Sequence, residues 1–240
     1  MRVAGIELVD PRRLGGGDIC RAFRATTTDG RPVFAKTLAE APLGFFEAEA
    51  HGLERLHVEG GPKVAAVQAV AADGLVLDWI EPGSPTRSAA LRFGGSLAAL
   101  HASGGETFGA ETTGFVATVR LDNSPTADWL TFQAERRIRP ALRAARDRGR
   151  IDAADAASVE GVIEALAQLA GPHEAPARCH GDLWAGNVAW GADGEVWLVD
   201  AAAAHYGHRE TDLAMLALFG GGYGARAGDA ARRSLREGSH

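Results

Sequence analysis

The chain of 240 residues carries only two cysteines, Cys20 and Cys179. Two thiols make neither a disulfide framework nor a zinc set. Positive charge is also short: 25 Lys and Arg stand against 31 Asp and Glu, a net charge of −6. That balance argues against broad nucleic-acid or acidic-membrane binding, which needs a positive field. Long hydrophobic runs are missing. The longest, Val64 to Ala72, is too short to span a bilayer and carries Gln68. At the N-terminus, Glu7 and Asp10 interrupt the apolar run that a secretory signal needs. What is abundant is apolar material, 46% of residues, enough for one large core or two packed lobes. The expectation is a soluble, cytoplasmic globular protein without a membrane span.

The pattern changes near residue 80. Before it, Ile6 to Val9, Ile19 to Ala25 and Val33 to Leu38 read as strands, separated by Gly15-Gly16-Gly17 and Asp29-Gly30. Phe46, Ala50 and Leu53 share one helical face within Phe45 to Leu56. Leu75 to Ile80 reads as a buried strand, and Glu81-Pro82-Gly83-Ser84-Pro85 as a hinge or linker. Beyond it the chain is mostly helical. Helices are expected over Ser88 to His101, from an N-cap at Ser124-Pro125 to Gly149, from Asp152 to Gly171-Pro172, and over Thr211 to Leu218. Pro140 is expected to kink or break the second of these. Val188 to Trp190 and Glu195 to Val199 flank the turn Gly191-Ala192-Asp193-Gly194 as a hairpin. The boundaries that follow are a β-rich part over residues 1–80 and a helical part over 81–240.

The chemistry concentrates in His180-Gly181-Asp182-Leu183-Trp184-Ala185-Gly186-Asn187 and the later Asp200. Asp182 and Asn187 have the five-residue offset of a kinase catalytic loop, where an Asp orients and deprotonates a hydroxyl and an Asn binds magnesium. Asn187 immediately precedes the first hairpin strand and Asp200 follows the second. Paired strands lie about 5 Å apart, so both side chains emerge at one end. An amide oxygen and a carboxylate so placed suit a hard cation such as Mg²⁺. Upstream, Gly15-Gly16-Gly17 joins two strands and no Gly-Lys-Ser/Thr follows, so it is not a Walker A loop. Its backbone N–H groups suit a flap over phosphates; a plain glycine turn accounts for the run as well. Lys36 ends an alternating run and is placed to neutralise phosphates, although a solvated strand-edge lysine has the same pattern. Glu47 and Glu49 are the nearby carboxylates that would hold it, and Glu49 lies nearer the apolar helix face.

These residues carry a family resemblance. HGDLWAGN, Asp200 and the run His205-Tyr206-Gly207-His208-Arg209-Glu210-Thr211-Asp212-Leu213-Ala214-Met215 resemble the fructosamine (ketosamine) kinases. These belong to the aminoglycoside-phosphotransferase-like branch of the protein-kinase-like fold. The likeness implies a two-lobe α+β protein, with a small β-rich N-lobe and a mostly helical C-lobe. It implies ATP-dependent, Mg²⁺-assisted phosphorylation of a sugar hydroxyl on a small-molecule or protein-bound ketosamine, as in deglycation repair. By position it implies Asp182 as catalytic base and Asn187 and Asp200 as metal ligands. ATP would meet Gly15, Gly16, Gly17, Lys36 and Glu49, with its adenine against Leu77, Asp78, Trp79 and Ile80. Trp184, His205 and His208 would approach the sugar, while His180 and Asp212 would brace the catalytic loop. A kinase of another small alcohol, such as an aminoglycoside or amino alcohol, is the enzymatic alternative; an impaired nucleotide-binding remnant is the other.

Two departures from the family pattern stand out. Asp200 is followed by Ala201-Ala202-Ala203-Ala204, where the family usually has proline, so a more flexible metal loop is expected. Leu218-Phe219-Gly220-Gly221-Gly222-Tyr223 occurs once and runs directly into the tail, as if an intervening helical segment were deleted. Exposed apolar surface on the large lobe and weakened sugar binding are the expected consequences. Gly238-Ser239-His240 adds nothing to either reading. Arg136, Arg139, Arg143, Arg146 and Arg150 recur at helical spacing and read as a solvated face paired with acidic residues.

Overall fold

Alternation of apolar and polar residues at period two builds one antiparallel sheet from the first part of the chain. The computed structural model describes residues 1–15, 19–219 and 221–237. Its early elements are β1 (Arg2–Val3), β2 (Ile6–Arg13), β3 (Arg21–Thr27), β4 (Pro32–Thr37), α1 (Phe45–Leu56), β5 (Lys63–Val64), β6 (Val67–Ala71) and β7 (Gly74–Asp78). The six-stranded sheet has the order β1-β2-β3-β4-β7-β6. One face of β4, Val33 and Ala35, joins Val3, Leu8, Ala25 and Val76 in a small core. Lys36 lies on the opposite face with Phe34, which packs on the main core around α1. Gly15 borders the expected flap; Gly16 and Gly17 lie outside the described residues.

The α1 helix forms where expected because its apolar face has somewhere to go. Phe46, Leu53 and Leu56 are fully buried, each worth about 1.5–3 kcal/mol relative to exposure. Phe45 meets Phe46 and Phe115 edge-on, with ring centroids 5.1 and 5.4 Å apart.

The later elements are α2 (Arg87–Ala102), β8 (Gly114–Val116), β9 (Val119–Leu121), α3 (Trp129–Thr131), a π-helix (Phe132–Ile138), α4 (Arg139–Asp147), α5 (Ala153–Glu164), α6 (Leu166–Leu169), β10 (Ala177–Cys179), β11 (Val188–Trp190), β12 (Val196–Leu198), β13 (His205–Gly207), α7 (Glu210–Phe219) and α8 (Gly221–Glu237). β11 and β12 form the hairpin, with Val188 opposite Leu198. β12 also pairs in parallel with β5, Leu198 opposite Val64, which ties the hairpin to the early part of the chain. The fold is a two-lobe α+β arrangement. Among the described residues no helix is long and apolar enough to cross a membrane.

Several elements depart from expectation for identifiable reasons. Asp128, not Ser124, caps the helix after β9; its carboxylate accepts the N–H groups of Leu130 and Thr131 at 2.9 and 3.0 Å. Pro140 neither ends nor sharply breaks the helix. The turn before it widens into the π-helix, where the Arg139 N–H reaches Ala134 O, five residues back. The expected linker is stitched down: Gly83 N–H donates to Trp190 O at 2.7 Å and Ala192 N–H to Glu81 O at 2.8 Å. The segment after α7, read as a tail, is helix α8, packed on α2. Gly94 permits that crossing, since a Cβ there would meet the Ala230 methyl at 2.4 Å. Leu218 and Phe219 at the end of α7 are exposed, 73% and 57%. Of the arginine stripe, Arg136 pairs with Asp122 and Arg139 with Glu135 and Glu160, whereas Arg143, Arg146 and Arg150 face solvent.

Candidate active site

Period two in β4 aims Lys36 at α1, where Glu49 waits on the buried face. The two form an ion pair with both side chains almost fully buried. Lys36 Nζ also reaches Asp200 Oδ1 at 2.8 Å, across 164 residues of chain. Burial alone would lower the lysine pKa, but the Glu49 and Asp200 carboxylates outweigh it and hold the ammonium above its ordinary value. Asp200 is opposed by desolvation, yet Lys36 keeps its carboxyl below the usual range. The Asp200 side chain is 56% exposed, and its Oδ2 takes no donor among the described residues.

The catalytic-type loop is built on one buried carboxylate. Asp212, at the start of α7, accepts the backbone N–H groups of His180 and Gly181, both at 2.9 Å. It also faces His101 Nε2 at 3.0 Å. Against the burial that would raise it, these donors hold Asp212 below the ordinary carboxylate range. His180 then spans the loop: Nε2–H donates to Val199 O at 2.9 Å, and Nδ1 accepts the Asp182 N–H at 3.3 Å. Only the Nε2–H tautomer satisfies both bonds. Gly181 has φ +83°, and a Cβ there would sit 2.3 Å from Ala203 O, so glycine is required on both counts.

Asp182 and Asn187 meet directly. Asn187 Nδ2 donates to Asp182 O at 2.7 Å and to Asp182 Oδ2 at 3.1 Å. This turns the amide oxygen away from Asp182, and no donor occupies it among the described residues. Asp182 is half-buried. Burial pushes its carboxyl up, and the charges of Asp200 and Asp212 add to that, against His180 and Asn187. The two pairs, Asp182 with Asn187 and Lys36 with Asp200, are brought together at one end of the hairpin. The Val199 N–H, one residue before Asp200, donates to Asn187 O at 3.2 Å, and the Asp200 charge is felt at Asp182. The uncommitted side-chain oxygens of Asn187 and Asp200 fit a hard divalent cation.

The remaining expected positions divide. Trp184 is 43% exposed and its ring covers Gly186, whose Cβ position lies 2.3 Å from it. Asp78 and Trp79 donate their N–H groups to Ala66 O and Pro32 O, 3.0 and 3.4 Å away. Leu77 pairs with Phe34, and Ile80 backbone groups find no partner among the described residues. His205 and His208 sit inside the fold, both buried. His205 Nδ1–H donates to Ala203 O at 2.9 Å, and its ring stacks on Phe132 with centroids 5.3 Å apart. His208 Nδ1 accepts the Glu210 N–H at 3.2 Å beside Trp129. The alanine run after Asp200 is likewise no loose loop, since Ala201, Ala203 and Ala204 are buried.

Sequence reasoning missed His101 and Gly52. His101 meets Asp212 from 111 residues away, and no short motif marks it. His101, Cys179 and Asp212 bring ligand-type atoms within 4.8 Å of one another. Since backbone N–H groups already occupy both Asp212 oxygens, this trio braces the loop.

Fold and site together define a phosphotransferase of the protein-kinase-like class, with an alcohol group as acceptor. The chain belongs to the fructosamine kinase family, whose family model matches residues 3–225. It is 40% identical over 225 residues to the probable ketoamine kinase of Thermus thermophilus, covering 92% of this chain and 78% of that one. A crystal structure of a candidate fructosamine-3-kinase from Thermobifida fusca superposes with TM-score 0.87 at 44% identity, over 96% of this chain and 80% of that one. Macrolide 2′-phosphotransferase type I shares the fold, with TM-score 0.63 at 19% identity over 98% of this chain and 78% of that one. Family membership brings use of ATP.

Proposed function

We propose that the protein phosphorylates a sugar hydroxyl of a ketosamine, free or on a protein lysine, with ATP as donor. The observation that carries this reading is that Asn187 holds Asp182, Lys36 holds Asp200, and the Val199 N–H joins the two pairs by donating to Asn187 O at 3.2 Å. Residues 1–80 would form the nucleotide-binding lobe and 81–240 the catalytic and substrate lobe. Ile80, with its unengaged backbone, would offer its N–H and carbonyl to adenine beside Leu77, Asp78 and Trp79. The Gly15-Gly16-Gly17 segment would cover the phosphates. Lys36, fixed by Glu49, would neutralise them, and Trp184 would wall the sugar. A cytoplasmic location fits such a substrate.

Asn187 Oδ1 and Asp200 Oδ2 would hold Mg²⁺. When bound, the ion neutralises charge that develops on the β- and γ-phosphates. Asp182 Oδ1, without a donor among the described residues, orients the acceptor hydroxyl and takes its proton. The acceptor oxygen bonds to the γ-phosphorus as the bond to the ADP oxygen breaks. Burial raises the basicity of Asp182 toward this task. His180 and Asp212 act only by keeping the loop in place.

An ATP-consumption assay with free fructosyl-lysine tests the reading. Turnover is expected in the wild type, and Asp182→Asn is expected to abolish it while ADP binding persists. ATP-stabilised melting without turnover, on fructosyl-lysine or protein-bound ketosamine, would instead point to an impaired remnant.

A further inference from the structure

The run Ala201-Ala202-Ala203-Ala204 has no polar side-chain atom, yet every carbonyl in it is engaged. Ala204 N–H donates to Ala201 O at 3.0 Å and Phe115 N–H to Ala202 O at 2.9 Å. His205 takes Ala203 O, and Arg55 donates to Ala204 O at 3.2 Å. Arg55 belongs to α1. The same helix makes a second contact one turn earlier, at Gly52. A Cβ there would lie 1.8 Å from Ala201 O and 2.7 Å from Ala201 C. The helix backbone is therefore seated directly against the peptide that follows Asp200.

That seating matters because Asp200 has a left-handed backbone, φ 61°. This region costs an L residue free energy, less for Asp than for most, so packing on the peptide beyond it helps to hold the turn. Glu49, three residues before Gly52, already fixes the Asp200 side chain through Lys36. α1 thus grips Asp200 twice, once through its carboxylate and once through the backbone beyond it.

We propose that Gly52 and Arg55 are positioning residues: they set the Asp200 loop so that its uncommitted oxygen faces the cation. This rests on Asp200 being a metal ligand, as argued above. Groups that orient a ligand in this way typically govern metal affinity 10- to 100-fold.

Calorimetric titration of ADP into the full chain, with and without Mg²⁺, tests this. In the wild type Mg²⁺ is expected to tighten ADP binding. That enhancement should drop about 10-fold in Gly52→Ala and a few-fold in Arg55→Met, with metal-free ADP affinity unchanged. Arg55→Lys, which keeps a donor, should recover part of the loss. Glu111→Gln, which removes only the exposed carboxylate 2.7 Å from Arg55, should leave the enhancement intact. Should Gly52→Ala fail to fold, the Arg55 pair decides. Full enhancement in the folded Gly52 and Arg55 variants, with loss in Asp200→Asn, overturns the positioning role alone. Full enhancement in Asp200→Asn removes the ligand assignment, and the proposal falls with it.

Discussion

His205 shows how one buried side chain links the site loop to solution pH. Burial drives its imidazole down to about 4 from 6.5, and the nearby Arg137 guanidinium pushes the same way. Between those values the unfolded chain binds a proton that the folded chain refuses. Stability from this residue is therefore complete above pH 6.5 and declines as pH falls toward 4. The effect amounts to roughly 3 kcal/mol at most. Asp200 and Asp212, both held below the ordinary carboxylate range, add their losses only at still lower pH. In His205→Gln the melting temperature is expected to fall much less between pH 6.5 and 4.5; equal slopes for the two proteins would assign the acid sensitivity elsewhere. The adjacency of Asp182 and Asn187 is legible from spacing alone, because five residues of loop limit where the two can go. For His205 and His208 the sequence leaves an approach to the sugar and an ordinary loop role equally open. In the fold both rings are buried, His205 bonded to the Ala203 carbonyl and His208 to the Glu210 N–H, with His208 Nε2 left without a hydrogen-bond partner among the described residues. Gly52 and His101 leave no trace in a linear pattern, since their partners are chosen by packing between distant segments.

Elements were legible where one local signal dominates. The apolar face of α1, the capping box at Asp152 and the hairpin turn at Gly191-Ala192-Asp193-Gly194 each decide the local structure by themselves. Short strands such as β5, β10 and β13 were not, because two or three residues pair only when a distant edge is presented to them. The start of the helix before Pro140 is a case of two competing signals. Ser124-Pro125 has the composition of a cap, but the Asp128 carboxylate takes the N–H groups of Leu130 and Thr131. Asp128→Ala is accordingly expected to cost about 1 kcal/mol. Ser124→Ala should change stability by no more than about 0.5 kcal/mol. Urea titration of the two variants distinguishes the positions, and a reversed order would restore Ser124 as the cap.

At the scale of the molecule the two lobes are joined by more than a covalent linker. Lys36 reaches Asp200, β5 adds to the hairpin sheet, and α1 lies against the Asp200 loop. The Glu81-Pro82-Gly83 segment is hydrogen-bonded to the hairpin turn. A flexible hinge would let the lobes unfold separately; these cross-links make each lobe's surface depend on the other. One cooperative transition is therefore expected in scanning calorimetry, with calorimetric and van't Hoff enthalpies in agreement. On the proposed reading a nucleotide would sit between the lobes and stabilise both at once. With Mg²⁺ and ADP at about 100 times the dissociation constant, the gain is roughly 2.7 kcal/mol. For a chain of this size that raises the melting temperature by about 5–10 °C. Asp182→Asn should keep nearly all of that shift if, as proposed, the residue acts on the acceptor hydroxyl and not on ADP. Two resolved transitions, with only the first moved by nucleotide, would mean that the cross-links are too weak to couple the lobes.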